Sequence, residues 1–200
     1  MNILIKTIFF IFILTQHVFA DEASNWLKKE IDEILNAYQN TNLSNEDKFL
    51  IIEETINFNF AGAGIAKFVA GDSWNNADKK TKKENIFLFK RHLALNIASM
   101  MQGYSDQEYI LTNFKFDSKN KVSLINMEIL NSSGNILVTW RVKESKNRFY
   151  VIDLLVADIS LVVTKRSEFN SMLKTANYNL KELNSLLKIK NQDNYLKIIN

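Results

Sequence analysis

"RFYVIDLLVADISLVVTKRSEF", residues 148–169, changes character partway along. Mostly apolar residues run up to Val163, and both alternation sets within 150–163 are largely apolar. Such a strand is expected to be covered on both faces. Thr164-Lys165-Arg166-Ser167-Glu168-Phe169 is then charged and reads as helix. Neither Gly nor Pro separates the two parts, so the chain must pass from buried strand to helix through a side-chain cap. Asp158 and Ser160 are the candidates for that cap.

The segments upstream of this stretch give it neighbours. Residues 107–116, 121–130, 135–142 and 148–157 are rich in β-branched and aromatic residues. Turn-like separators lie at 117–120, 131–135 and 144–147. Four strands joined by short turns form an antiparallel meander. Before it the helical period holds. Ser24 precedes an apolar series from Trp26 to Tyr38, and Ser44-Asn45-Glu46-Asp47 resembles a capping box opening a second helix through Ile56. "AGAGIAKFVAG" is a short small-residue segment that Gly71 would stop. Ile86, Phe89, Leu93, Ile97 and Met100 mark the longest helix, ending near Gly103. After Val163 the helical period returns at Phe169 and Leu173, then from Leu180 to Leu187. The fold class is α+β: a four-stranded antiparallel curved sheet packed against helices, with N- and C-terminal helices.

The N-terminus reads as a leader. Lys6, an apolar run from Ile8 to Leu14, and Val18-Phe19-Ala20 give the parts of a secretory signal peptide cleaved after Ala20. The run is too short for a comfortable bilayer span. Residues 1–20 are thus the leader, 21–190 a single domain and 191–200 a tail. The chain has no Cys, so an exported fold would stand on its core alone. A net charge of +3 with both signs interspersed gives no nucleic-acid arm.

Catalytic machinery is not visible. Beyond the leader His92 is the one histidine, and it reads as a helix-face residue beside the apolar series. The glycines of 62–71 lack the Gly-Lys-Ser/Thr of a phosphate loop, and 79–83 reads as a solvated basic helix start. Apolar and aromatic residues, in contrast, exceed what one small sheet needs. They make either an ordinary core or a core with a cavity for an apolar ligand.

Residues 140–142 "WRV", the stretch 151–169, "DSW" at 72–74 and "YNLKELNSLL" at 178–187 resemble the MlaC family, also called the toluene-tolerance auxiliary family. The resemblance covers roughly residues 30–188. Its most specific part is Val151, Asp153, Val156, Ile159-Ser160-Leu161-Val162, Lys165-Arg166-Ser167 and Phe169. Ala157-Asp158 stands where members often carry Val-x-Gly, and Phe58-Asn59-Phe60 stands for a familiar Phe-Asp-Phe-like segment. The first change puts the local turn in doubt.

The resemblance implies an exported phospholipid-binding protein with phospholipid as cargo and no other cofactor. It would shuttle lipid through the periplasm between an outer-membrane lipoprotein–porin complex and an inner-membrane ABC transporter, maintaining outer-membrane asymmetry. Exposing two acyl chains of about 15 carbons to water costs on the order of 20 kcal/mol, at about 0.8 per CH₂. A carrier must enclose the tails and can leave the head group wet. The sequence shows no dense Arg/Lys constellation, which fits that demand. Candidate slot walls between sheet and helices are Phe60, Phe68, Trp74, Phe89, Leu93, Ile97, Met100, Val138, Trp140, Ile152, Leu154 and Val156. Arg166 is expected to make a structural pair or a partner contact. A module for another apolar ligand, such as a hopanoid-like lipid or a solvent, and an enzyme on the same scaffold stay open.

Overall fold

The computed structural model describes residues 22–102, 107–132 and 134–200. The leader and Gly103 lie outside them. Among the described residues seven helices and five strands follow one another as α1 (22–39), α2 (Asn45–Asn59), α3 (Gly62–Ala70), α4 (Asp72–Asn75), α5 (Lys79–Met101), β1 (Tyr109–Asp117), β2 (Val122–Ile129), β3 (Ile136–Ser145), β4 (Arg148–Val156), β5 (Ile159–Ser160), α6 (Leu161–Thr175) and α7 (Leu180–Ile199). This is the expected α+β architecture with helices at both ends. No helix among the described residues is long and apolar enough to cross a membrane.

Polar side chains set the helix starts. Ser44 Oγ accepts from the Asp47 N–H at 3.1 Å while Asp47 accepts from the Ser44 N–H, the reciprocal capping box. Asp78 caps α5 through Thr81 N at 2.8 Å, so the longest helix begins in the basic run 79–83, as its reading as a helix start implies. Gly71 ends α3 at φ 55, a conformation that side chains resist. Residues 191–200 are not a patternless tail: α7 continues to Ile199 and buries Asn191 and Ile198.

The sheet is an open antiparallel meander in the order β1-β2-β3-β4-β5. Bulges between Leu111 and Asn113 and between Arg141 and Val142 bend its strands. The inward face carries Ile125 and Met127 of β2, Val138 and Val142 of β3, and Val151 and Leu154 of β4, all buried. Helix α1 bridges the sheet. Tyr109 of β1 donates to Asp32 at 2.6 Å, and Phe149 of β4 packs on Trp26 with ring centroids 5.7 Å apart.

The fifth strand answers how the signature changes period. β4 stops at Val156, one residue short of its expected span, although the apolar run continues to Val163. Ala157 and Asp158 both take positive φ, 47 and 64, and make a two-residue turn. Ile159 then pairs back with Val156, and Ser160 with Leu155. Ser160 caps α6, its Oγ accepting from Val163 N at 3.1 Å. The apolar Leu161-Val162-Val163 is therefore the first turn of a helix. No glycine stands at this turn, and Ala157 and Asp158 both adopt the left-handed conformation. For Ala157 this carries a steric cost.

Helices α5 and α7 lie parallel. Asn85 donates to Asn184 at 2.8 Å, and His92 Nδ1 meets Asn191 Oδ1 at 3.0 Å, each pair 99 positions apart in sequence. A constant offset fixes a parallel register. The buried residues Thr81, Asn85, Leu88, His92 and Leu95 face Leu180, Leu183, Asn184, Leu187 and Asn191 along a seam with heptad spacing.

Candidate functional site

Where α3, α5, β4 and α6 meet, apolar side chains surround a small closed cavity of about 10 Å³. Phe60 ends α2 and bridges to Val151 of β4, with Ala61 N donating to Val151 O at 2.9 Å. Phe89 and Leu93 come from adjacent turns of α5, Ile65 from α3, Leu154 from β4, and Leu161 and Val162 from the first turn of α6. A volume of this size has room for about one water.

Four of the twelve residues expected as walls meet here: Phe60, Phe89, Leu93 and Leu154. Val138 and Trp140 lie beside Leu154 on the sheet's inner face and belong to the core around the cavity. Ile97 is half-buried against the same core. Ile152 is the bulged residue of β4 and lines a groove on the other side of Phe60. Trp74 is half-buried beneath the Lys82 ammonium, 5.9 Å from its ring. Phe68, Met100 and Val156 are surface residues, 43%, 60% and 43% exposed, and line nothing here. Phe68 stays partly exposed on α3 with the Arg166 guanidinium of α6 stacking 4.4 Å over its ring. Met100 sits at the last turn of α5, and Val156 at the strand end beyond the helices.

Ile65, Leu161, Val162, Asp153 and Lys165 also line the cavity and were not expected. Leu161 and Val162 sit in the apolar run that continues to Val163, past the expected strand span of 148–157. Lys165 belongs to the charged stretch 164–169 that reads as helix, yet it is buried at 7% exposure. Its stem packs toward the cavity while Nζ reaches Asn96 Oδ1 at 2.8 Å and Glu168 Oε2 at 2.7 Å. A larger groove of about 510 Å³ runs between α1 and β1, with Leu111, Phe114 and Ile125 on its apolar side.

The walls are held by two polar knots. Asp153 is the first. It accepts from Leu154 N at 2.8 Å, Val162 N at 3.1 Å and Ser160 Oγ at 2.7 Å, with Arg141 Nη1 3.6 Å away. The signature's Asp and Ser thus tie strand end, turn and helix start into one unit. Its Phe169 packs edge-on against Phe89 and His92 at 5.5 and 5.7 Å.

Glu168 is the second knot. His92 Nε2 lies 3.6 Å from it, and the Lys165 and Lys190 ammonium groups lie at 2.7 and 2.6 Å. Together they hold its carboxyl well below the usual carboxylate range. At 3.6 Å the imidazole approach is longer than a hydrogen bond, so the two lysines are the closer partners. His92 itself is buried, not on a helix surface, with Asn191 on its other ring nitrogen. The sign of the linkage follows. An unfolded glutamate titrates near pH 4.5, and the folded one lower, so its stabilisation is complete above pH 4.5 and fades as pH falls below it. Glu168→Gln is therefore expected to lower the melting temperature at pH 7 and to flatten its fall below pH 4.5. Parallel wild-type and variant curves across that range would show that the carboxyl is not stabilising.

Trp140 Nε1 is buried with no acceptor among the described residues, an unsatisfied donor on the sheet's inner face.

The fold has solved counterparts. A phospholipid-binding protein from Ralstonia solanacearum, solved in complex with a phospholipid, superposes with a TM-score of 0.73 at 16% identity, covering 84% of this chain and 96% of that one. No curated protein matches the sequence. The family model for the MlaC protein matches residues 28–188, which include α2 to α6, the whole sheet and the Asp153–Ser160 knot. The chain belongs to the MlaC family.

Proposed function

We propose that this chain is a periplasmic carrier that holds one phospholipid with its acyl chains between the sheet and helices α3, α5 and α6. It passes lipid between an outer-membrane lipoprotein–porin complex and an inner-membrane ABC transporter. The observation that carries the reading is the family match across residues 28–188. The Ralstonia solanacearum protein of the same fold, solved with a phospholipid bound, supports it. So does the position of the closed apolar cavity, under the helix that the signature encodes.

The geometry adds a requirement. Ligand pockets run to about 300–1,000 Å³, while the cavity is about 10 Å³. Loading must therefore separate α3 and α6 from α5 and β4. Asp153 and Ser160 keep α6 attached to the strand while its body tilts. The empty state then hides its apolar walls from water, which suits a carrier between deliveries.

The test is extraction of the natural cargo. Protein made with its own leader and purified without detergent is expected to start at Asp21 and to carry about one phospholipid per chain. Recovery of no lipid, or of a sterol-like molecule alone, sinks the reading. Phospholipid bound to a chain that keeps its leader in the membrane would leave the binding and remove the shuttle.

A further inference from the structure

Phe60 has two sides. One lines the closed cavity. The other lines an open groove of about 520 Å³ at the junction of α2, α3 and the β3–β4 hairpin. Four cations border that groove: Lys90 from α5, Lys143 from β3, Lys146 from the hairpin turn and Arg148 from β4. No Asp or Glu lines it, and none of the four cations lies within ion-pair distance of a carboxylate among the described residues. The sequence hid the cluster because its members come from three elements and a turn, spread over 59 positions between Lys90 and Arg148.

Two of the cations are held at the rim by carbonyls. Lys90 Nζ donates to Asn57 O at 2.9 Å and Arg148 Nη2 to Phe58 O at 3.4 Å. Lys90 lies across Gly62, where an added Cβ would fall 2.5 Å from its Cε. Desolvation there pushes the Lys90 ammonium below its usual range, so an anion beside it would be welcome. The first turn of α3 opens onto the same groove, and its cap, Ala61, offers no side-chain acceptor to the free N–H groups.

The geometry points to this groove as the seat of the cargo's head-group phosphate, with the tails passing Phe60 into the apolar interior. The assignment rests on the carrier reading and departs from the expectation of a head group left in water. A phosphodiester supplies the one feature the groove lacks, a negative charge, and Phe60 is the wall shared by head-group groove and tail cavity. Two lysines and an arginine on exposed positions can each make a charge-assisted hydrogen bond to phosphate oxygens.

The experiment offers delipidated protein two lipids with identical tails, dioleoyl phosphatidic acid and dioleoylglycerol, and counts each by native mass spectrometry. The wild type is expected to favour the phosphate-bearing lipid by about tenfold or more, as one or two charged hydrogen bonds allow. Lys143→Gln, Lys146→Gln and Arg148→Gln combined should bring the ratio near one and leave dioleoylglycerol loading and the melting temperature unchanged. Lys90 is kept because it packs on Gly62. Equal loading in the wild type, or a preference that survives the triple variant, overturns the head-group site and leaves the carrier intact. Loading of neither lipid overturns the carrier reading and this site with it. Titration with inorganic phosphate separates the sources: saturation of the groove that lipid loading does not displace would identify a free-phosphate site and overturn the head-group assignment.

Discussion

Asp153→Ala is expected to lower unfolding free energy by about 3 kcal/mol, because buried donors left without an acceptor cost roughly 1–3 kcal/mol each. The carboxylate, 6% exposed, serves two backbone N–H groups and the Ser160 hydroxyl at the point where β4 becomes α6. Alanine strands all three and leaves Arg141 without its ionic neighbour. For a chain of this size each kcal/mol shifts the melting temperature by about 2–4 °C, so a fall of roughly 6–12 °C is expected. Asp153→Asn keeps one acceptor oxygen and should fall in between. Ser160→Ala removes the cap and one of the three donors together, and about 1 kcal/mol is its expected cost. A melting temperature for Asp153→Ala within about 2 °C of wild type would mean that the knot does not hold the helix.

Leu93→Trp is expected to cut phospholipid content per folded molecule by about tenfold, the effect of roughly 1.4 kcal/mol on binding. Leu93 is buried on α5 and forms part of the cavity wall with Phe89 one turn earlier. An empty pocket of full size would have accepted the indole without strain. The cavity holds only about 10 Å³, so the empty protein should also lose about 1–3 kcal/mol from overpacking. Stability therefore cannot discriminate, and the lipid count must. Phe68→Trp, on the exposed face of α3, serves as the control and should load as wild type. Normal lipid in Leu93→Trp would make this helix face ordinary core. The tails would then belong elsewhere, with the groove between α1 and β1 the next place to probe.

Periodicity and capping residues made most of the fold legible. The four long strands fall within a few residues of their expected spans because each separator carries turn chemistry; Asp117, for one, accepts from Lys119 N and Asn120 N. The Ser44-Asn45-Glu46-Asp47 pattern marks the start of α2, and both of its reciprocal hydrogen bonds form. The misreadings share a cause. Leu161-Val162-Val163 is apolar in succession although only Leu161 and Val162 line the cavity and Val163 is exposed, so a single helical turn there shows no period of its own. Residues 191–200 looked patternless because the buried side of α7 uses Asn184 and Asn191, which an apolar template does not count. The pairs Asn85–His92 and Asn184–Asn191, seven apart in both helices, were the available signal. The site was less legible than the fold. Phe60, Phe89, Leu93 and Leu154 were marked by apolar position, but the same rule marked Phe68, Met100 and Val156, and sequence alone does not say which side of a helix faces inward. Lys165 shows the converse: a lysine can line a cavity when its ammonium has Asn96 and Glu168 to reach.

The parallel α5–α7 seam has a consequence for how the chain is made. Its partners are 99 residues apart, so in a chain that emerges N-terminus first into the compartment where it folds, α5 is out well before α7. An all-leucine seam would spend that interval as a sticky, unpartnered face. Thr81, Asn85 and His92 break it into short apolar patches that water can cover. The same groups then choose their partners by hydrogen bonding, so α7 can dock in only one register when it arrives. The polar layers that weaken the finished core keep the nascent helix soluble until its last partner exists.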